Sequence, residues 1–325
     1  MGLEEQTPHL YLNLLNRIVF FLVCIFFILS SYIVLFLNYK KIFENENTII
    51  IPKGAGIYKI VDIILVDKNY LNKKIYFSYL WFFDKYFDQI KFGEFKIDKN
   101  LNLIRITNKI SKPSDVYKEF KIIGGWQIYQ LEKLIKEKFN NSYFISYNEI
   151  LADTYKYQSH NEFEDIFILM KNNKDKFFIK NKDNFLLKKY SINEIMTIAS
   201  LVEKEGKTVQ DQKLISSVIF NRLDNNLKLQ IDATTIYSIT KGKYKLNRKL
   251  TYQDLKIKDK YNTYFIGGLP PDPICYVSRK TIEIVLENYK SSYLFYFFDE
   301  KDQKHVFSST YKKHKKLLEI YRNNE

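Results

Sequence analysis

The sequence predicts an α+β fold that follows a single N-terminal transmembrane helix. Three observations support this prediction. An uncharged apolar run occupies residues 18–38, short strand-like and amphipathic helical segments follow it, and Gly, Pro and Asn residues separate these segments. With 325 residues, the chain is long enough for one large domain or two modest domains beyond the membrane segment.

The apolar run is long enough to cross a bilayer as a helix. It carries no charge between Arg17 and Lys40, and about 20 apolar residues span the hydrocarbon core. It lacks the small-residue exit of a cleavable signal peptide. We therefore expect a short tail at residues 1–17 and a retained anchor at residues 18–39. The flanking charges of Arg17, Lys40 and Lys41 do not decide on which side of the membrane the rest lies.

The composition argues against several other functions. The formal net charge is +14, but the lysines are scattered rather than gathered on one face with interleaved aromatic residues, so we expect no nucleic-acid partner. No Cys/His cluster has the spacing of metal ligands, and we expect neither a metal nor another cofactor. Cys24 lies in the apolar run, so we expect no disulfide with Cys275.

The segment after the anchor is expected to form a small α+β unit. Its order is strand, helix, helix and strand, at residues 48–52, 57–65, 74–87 and 91–97. Residues 101–110 fit either a strand or a helix. The pattern breaks at Pro113, which gives domain boundaries at 44–112 and 113–325.

The second domain begins with a strand at residues 117–123, a Gly-Gly turn, and an amphipathic helix that ends near Phe139. The Lys- and Asn-rich residues 171–184 are expected to form an exposed connector.

A helix at residues 192–205 is the best-bounded element of the sequence. Ser191 followed by Glu194 is a capping box, and Gly206 is typical of a helix end. At about 100° per residue, the polar side chains of this helix fall on one narrow stripe, while most of the remaining surface is apolar. The stripe consists of Asn193, Thr197, Ser200 and Lys204.

Two glutamates of this helix, Glu203 and Glu205, lie off the polar stripe and on nearly opposite flanks. An unpaired carboxylate in apolar surroundings has a raised pKa, which is the property that a general acid needs near neutral pH. One of the two is therefore a candidate catalyst. The alternative is that both belong to a solvated helix end.

Beyond this helix the sequence predicts a helix, a shaped loop, a helix and a hairpin, at residues 212–223, 261–274, 281–288 and 293–309. A basic helix ends the chain. The loop contains Gly267, Gly268 and three prolines, which exclude regular structure, and such loops often line binding clefts.

Five segments in this order resemble the endolytic murein transglycosylases, the MltG or YceG-like family. They are IASLVEKEG, SSVIFNRL, LQIDATTIYSI, YNTYFIGGLPPDPI and YLFYFFDEKDQKHVFSS. Four upstream segments match as well: IIIPKGAG, FGEFKI, IIGGWQIYQLEKLI and LADTYKY. The resemblance extends from about residue 48 to the C-terminus.

The resemblance implies a membrane-anchored enzyme that cleaves the MurNAc-(1,4)-GlcNAc bond of nascent peptidoglycan strands without water and leaves 1,6-anhydro-MurNAc ends. It implies a LysM-like subdomain at 44–112 and a catalytic domain with a lysozyme-like helical core at 113–325. The tail at 1–17 would be cytoplasmic, and the enzyme would lie in the periplasm and terminate strand elongation. The implied partners are glycan strands, the cytoplasmic membrane and, as candidates, peptidoglycan synthases.

The resemblance also implies the site residues. Glu205, which precedes the small residue Gly206, matches the acid/base of the family, and Glu203 is the alternative. Gln230 and Asp232 match a strand-loop that faces the sugar, where they would bind the N-acetyl group or hold Glu205. Alternatively, Asp232 caps a helix at 234–239.

Further positions follow from the same resemblance. Tyr261, Asn262 and Tyr264 resemble residues that line the cleft, with packing of the proline loop as the alternative. Asn221 and Arg222 are expected to be structural. His305 is expected at the surface, with a position in the cleft as the alternative. Asp153 and Tyr155 are expected to join two segments. The chain departs from the family pattern at Ala152 and Ala233, where proline is usual, and at Asp272, where glycine is usual.

Three other functions are alternatives. The chain is a glycan-binding protein without activity, or a muramidase that hydrolyses the same bond with water, for which Asp232 would be the second carboxylate. The third alternative is binding of nucleic acid or anionic lipid through the net charge of +14, which predicts binding that weakens steeply with salt.

Overall fold

The computed structural model describes residues 7–39, 42–43, 45–66 and 68–323. The start of the expected tail, residues 1–6, lies outside this part, as do Lys40, Lys41 and Glu44. The described chain combines helices with three two-stranded sheets, which confirms the predicted α+β class. It divides into two compact units. One contains the chain up to Lys118 together with Tyr157–His160, and the other contains Glu119–Lys156 and the chain from Asn161 onwards.

The first unit begins with helix α1, Thr7–Leu37, which starts inside the segment that we expected as a polar tail. Its stretch Tyr11–Leu37 is long and apolar enough to cross a membrane. The following elements are β1 (Asn47–Ile51), α2 (Ile57–Ile64), α3 (Tyr70–Tyr86), β2 (Gly93–Ile97) and α4 (Leu103–Ile110).

The ambiguous residues 101–110 form a helix because their apolar side chains follow a helical period. Leu103, Ile106 and Ile110 are fully buried on one face of α4, and the Asn102 side chain accepts a hydrogen bond from the Arg105 N–H at the helix start. Strands β1 and β2 pair antiparallel beside this helix, with Ile49 opposite Phe95. These residues form the apolar core of the unit.

The remaining elements are, in order, β3 (Lys118–Lys121), α5 (Ile128–Phe139), β4 (Thr154–Tyr157), α6 (Phe163–Lys180), α7 (Phe185–Lys189), α8 (Ile192–Glu205), α9 (Val209–Asp224), α10 (Asp232–Thr240), α11 (Arg279–Leu286), β5 (Phe295–Asp299), β6 (Lys304–Ser308) and α12 (Tyr311–Asn323). Strands β5 and β6 form the predicted hairpin. The expected loop at 261–274 contains turns and bends but no helix or strand.

The prediction of an exposed connector at residues 171–184 is wrong. Helix α6 extends to Lys180, and its residues Met170, Phe177 and Phe178 are buried. These three positions are separated by seven and eight residues, which places them on one helix face. The polar residues 171–176 that suggested a connector lie between Met170 and Phe177 and do not change the helical period.

Helix α8 lies at the centre of the second unit and packs against α9, α10 and α11. Its predicted start is confirmed, since the side chains of Ser191 and Glu194 each accept a hydrogen bond from the other's backbone N–H. The polar stripe of α8 holds the proline-rich loop: Asn193 donates to the Pro271 carbonyl over 2.8 Å, and the buried Ser200 hydroxyl accepts from the Ile274 N–H over 3.1 Å.

Candidate active site

The carboxyl group of Glu205 lies at the end of α8, largely enclosed by other elements. The backbone N–H of Ala233 and the hydroxyl of Tyr296 act on it as hydrogen-bond donors, and each lowers its pKa. The pKa of Glu205 is raised to about 7, mainly by burial and then by the nearby negative charge of Asp232. The two hydrogen bonds and the Lys204 ammonium act in the opposite direction. The side chain keeps partial solvent exposure, so this carboxyl group can exchange protons near neutral pH.

The first turn of α10 supplies one of these donors. Ala233 lies in that turn, where backbone N–H groups have no partner within the helix and point towards its N-terminal end. A negatively charged group is stabilised in this position. The sequence folds into a helix here because the Ile231 carbonyl accepts from both the N–H and the hydroxyl of Thr234.

Asp232 is the first residue of α10, so the prediction that it lies in a strand-loop is wrong. The alternative that Asp232 caps this helix is also wrong, because Ile231 is the N-cap residue. Asp232 is exposed, and its Oδ1 accepts a hydrogen bond of 2.6 Å from the Tyr264 hydroxyl. Its carboxylate is therefore available on the surface beside Glu205.

Gln230 precedes the helix in a left-handed backbone conformation, with φ of 54°. Its backbone N–H donates to the Thr263 carbonyl over 3.3 Å, and its side-chain oxygen accepts from Arg222 over 3.3 Å. The side chain is otherwise exposed. Gln230 is thus oriented at the protein surface rather than free to rotate.

Arg222 holds this part of the site together. Its buried guanidinium donates to the carbonyls of Lys228, Leu229 and Leu294, and it lies 5.0 Å from the ring centre of Phe295. It therefore ties the segment before α10 to the segment before β5, in agreement with the expected structural role. Burial lowers the pKa of this guanidinium.

The three predicted loop residues have different positions. Tyr264 is half-buried beside Asp232, and burial together with the Asp232 and Glu205 carboxylates raises the pKa of its hydroxyl. Asn262 is fully buried and donates to the carbonyls of Leu255 and Ile257, so the expectation that it lines the cleft is wrong. Tyr261 is half-buried, and its hydroxyl donates to Asp272.

Glu203 is engaged inside the protein. Its Oε2 accepts hydrogen bonds from the N–H and the hydroxyl of Ser278, over 3.0 and 2.8 Å. Ser278 also caps α11. A side chain at Gly124 would collide with the Glu203 carboxylate, so this backbone approaches closely. Glu203 and Glu205 therefore meet different sets of neighbours, and Glu203 connects α8 to α11.

Sequence reasoning missed Tyr296. On β5, Tyr296 faces the same side as His305 and Phe307 of β6, with ring centres 5.7 and 5.9 Å apart, whereas Phe295 and Phe297 contact α12. The alternation of the predicted hairpin could have placed Tyr296 on a separate face from these phenylalanines. The alternation of the hairpin sequence does not indicate that this face contacts Glu205.

His305 was expected at the surface, and this expectation is wrong. Its side chain is 3% exposed, and its Nδ1 lies 3.5 Å from Oδ1 of Asp211. Burial lowers the pKa of the imidazole, while Asp211 acts in the opposite direction. Within the part of the chain that the structure describes, no group of three or more His, Cys, Asp or Glu side chains is arranged to hold a metal ion.

The fold and this geometry define a class of site: one carboxyl group that titrates near neutral pH, beside exposed amide, carboxylate and tyrosine groups, suited to general acid–base chemistry on a polar substrate. A profile of the YceG-like family matches residues 49–319 of the chain. The chain therefore belongs to the YceG-like family.

Curated relatives and a solved structure agree with this assignment. Over 158 residues the chain is 35% identical to the endolytic murein transglycosylase of Bacillus subtilis (strain 168), a match that covers 49% of this chain and 42% of that protein. Over 130 residues it is 35% identical to the endolytic murein transglycosylase of Streptococcus pneumoniae (strain ATCC BAA-255 / R6), covering 39% of this chain and 23% of that protein. The chain thus spans less than half the length of these curated relatives.

The crystal structure of a YceG-like protein from Listeria monocytogenes has a similar fold. The TM-score is 0.52 at 25% sequence identity, and the match covers 85% of this chain and all of the other chain. The mixed helix and strand architecture is therefore shared with a solved member of the family.

Proposed function

We propose that this protein is an endolytic lytic transglycosylase that cleaves the MurNAc-(1,4)-GlcNAc bond of nascent glycan strands without water. The observation that carries this proposal is the Glu205 carboxyl group, whose pKa of about 7 lets it act as an acid and then as a base. Two curated relatives of the chain are named endolytic murein transglycosylases.

Glu205 performs both proton transfers in the proposed reaction. In its protonated form it donates a proton to the glycosidic oxygen while the bond from that oxygen to the anomeric carbon breaks. The 6-hydroxyl oxygen of the same muramyl residue then bonds to the anomeric carbon, and its proton returns to the Glu205 carboxylate. The products are a 1,6-anhydro-MurNAc end and a free 4-hydroxyl on GlcNAc, and no water is consumed.

The neighbours of Glu205 support the charged states along this path. The Ala233 N–H and the Tyr296 hydroxyl stabilise the carboxylate after it has donated its proton. The exposed Asp232 carboxylate faces the positive charge that develops at the anomeric carbon. We assign Gln230, Asp232 and Tyr264 to substrate binding, Tyr261 to a neighbouring part of the cleft, and Glu203 to positioning of α8.

A second candidate function is hydrolysis of the same bond by water. The observation that favours it is the second carboxylate, Asp232, whose charge acts on Glu205. Inverting glycosidases use such a pair, with one carboxyl group as acid and the other as base. The products distinguish the two reactions, because hydrolysis leaves reducing ends.

The location follows from the same proposal. Helix α1 anchors the chain in the cytoplasmic membrane with its N-terminus inside, and the catalytic domain acts in the periplasm. Residues 44–112, within the first unit, would act as a LysM-like subdomain. We further propose that the enzyme terminates strand elongation near peptidoglycan synthases.

Digestion of purified peptidoglycan by the detergent-solubilised full chain tests the proposal. We expect mass spectrometry to detect muropeptides with 1,6-anhydro ends, and we expect Glu205→Gln to abolish them while the fold is retained. Glu203→Gln is the matched control, since it changes the neighbouring carboxylate and should leave measurable activity. Reducing ends would favour hydrolysis, and full activity of Glu205→Gln would refute the assignment of the acid.

A further inference from the structure

A cavity of about 180 Å³ lies in the second unit, between the start of α5, the segment 144–148, α10 and the loop before α11. Its walls are largely aromatic. The rings of Tyr147 and Tyr237 are 6.0 Å apart, and those of Tyr237 and Tyr261 are 4.8 Å apart. Phe144 is 69% exposed beside them. The cavity is therefore partly open, and it combines aromatic rings with the polar side chains of Ser146, Asn148 and Asp272.

Asp272 contributes the charged group of this cavity. It is half-buried, and its Oδ2 accepts a hydrogen bond of 3.1 Å from the Tyr261 hydroxyl. The Asn193 amide lies 3.4 Å from its Oδ1. Among the described residues, no Lys, Arg or His forms a salt bridge with Asp272. A carboxylate in such surroundings is stabilised by a cation that neutralises it.

The two lysines beside the ring of Tyr261 do not fill this role. The Lys241 ammonium is paired with Asp259 at 2.5 Å. The ammonium groups of Lys241 and Lys260 lie 5.4 and 5.6 Å from the ring centre of Tyr261, so this ring already attracts cations of the chain itself. Lys241 is neutralised by Asp259, and within the described residues Lys260 forms no salt bridge with Asp272, so the charge of Asp272 remains available to a ligand.

We propose that this cavity binds a primary ammonium group carried on an aliphatic chain, with the Asp272 carboxylate as its counter-ion. The rings of Tyr237 and Tyr261 contact the aliphatic chain, and the Asp272 carboxylate attracts the charge. An uncharged alcohol of the same length would lose the ion pair. A sugar hydroxyl would leave the carboxylate charge unneutralised.

The position of the cavity connects it to the candidate active site. Helix α10 carries Ala233 and Asp232 at its start and Tyr237 five residues after Asp232, which corresponds to roughly 7 Å along a helix axis. The loop that carries Tyr261 also carries Tyr264, the partner of Asp232. A ligand group in this cavity therefore lies within reach of a substrate bound at Glu205.

If the proposed function holds, on which this step rests, the ammonium group belongs to a peptide attached to the murein glycan. The ammonium site deepens the proposed function by selecting glycan strands whose peptides keep a free amine.

A pair of matched probes tests the site itself. Nα-acetyl-lysine amide carries the ammonium group, and Nα-acetyl-norleucine amide has a similar aliphatic chain without it. We expect calorimetric titration of the full chain in detergent to show binding of the lysine probe, and Asp272→Asn and Asp272→Gly to weaken it about tenfold or more. Asp224→Asn is the control, since Asp224 is a surface carboxylate paired with Lys189 at 3.1 Å.

Equal affinity for the two probes, or unchanged affinity in folded Asp272→Asn and Asp272→Gly, would overturn the inference. Circular dichroism establishes that the variants are folded. The Glu205→Gln variant should bind the lysine probe as the wild type does. If the wild type binds the lysine probe but yields no anhydro ends, the proposed function fails and the ammonium site stands. If anhydro ends form but the lysine probe does not bind, only the ammonium site fails.

Murein with acetylated amines tests the source of the ligand. We expect the wild type to cleave unmodified murein about tenfold faster than acetylated murein at low substrate concentration, and Asp272→Asn to remove this preference. If the wild type and Asp272→Asn show the same ratio of rates on unmodified and acetylated murein, the ammonium group does not come from murein.

Discussion

The hydroxyl of Tyr296 is expected to set the pH range in which Glu205 works, and Tyr296→Phe removes this hydroxyl while it keeps the ring. The hydroxyl donates to the Glu205 carboxylate and so lowers the pKa of that group. A hydrogen bond to a charged group contributes about 1.5–3 kcal/mol, and one pKa unit corresponds to about 1.4 kcal/mol. We therefore expect the pKa of Glu205 to rise from about 7 to about 8 or higher.

The assay is the initial rate of release of anhydro-muropeptides as a function of pH. Glu205 must be protonated to donate its proton, so the rate falls as the pH rises through its pKa. In Tyr296→Phe, the alkaline limb should move up by about one pH unit or more. The maximal rate should decrease, since the ionised carboxylate loses a donor.

Tyr293→Phe is the matched control for this experiment. Tyr293 packs against Phe307 in the same hairpin region but does not act on the Glu205 carboxylate. Its alkaline limb should coincide with that of the wild type. An unchanged limb in Tyr296→Phe would refute the role of the hydroxyl as a donor, and a limb that moves to lower pH would show that the hydroxyl stabilises the protonated acid instead.

Three further predictions concern the same region. Ala233→Pro removes the other donor to Glu205, so the alkaline limb of the rate profile should again move upward, and an unchanged limb would contradict this hydrogen bond. The pKa of Glu205 is raised in the folded state, so its stabilising contribution is full below pH 4.5 and is lost as the pH rises through about 7. Glu205→Gln should therefore melt at a higher temperature than the wild type at pH 8 and at a similar temperature at pH 4, as measured by scanning fluorimetry. The same difference in melting temperature at pH 4 and pH 8 would contradict this pH dependence. Arg222→Ala leaves three carbonyl groups without this donor, and it should lower the melting temperature by about 5 °C or more, whereas an unchanged value would show that water replaces the guanidinium.

Local signals in the sequence predicted the boundaries of the central elements. The Ser191 and Glu194 capping box and Gly206 bound α8, because capping depends on residues that are neighbours in the chain. The β5–β6 hairpin was likewise predicted from alternation and a polar turn. The separation of Glu203 from Glu205 followed from the helical angle alone.

Other features depend on contacts between distant segments, and the sequence could not provide them. The burial of Asn262 and of His305 results from packing against α10 and α9, which no local pattern contains. Tyr296 and Glu205 come from distant segments, and Arg222 holds the chain before β5 against the chain before α10. Helix α6 was missed for another reason, since a polar composition obscured three apolar positions on one face.

The hydrogen bonds from Ser278 to Glu203 fix the rotation of α8 about its own axis. With Glu203 fixed to the start of α11, the helix cannot rotate, and two residues later the chain has turned by about 200°, which directs Glu205 away from that contact. Insertion of a single alanine between them would turn Glu205 by about a further 100° and remove it from Ala233 and Tyr296. The internal glutamate thus acts as an angular reference for its neighbour, and the spacing between them is as important as either side chain.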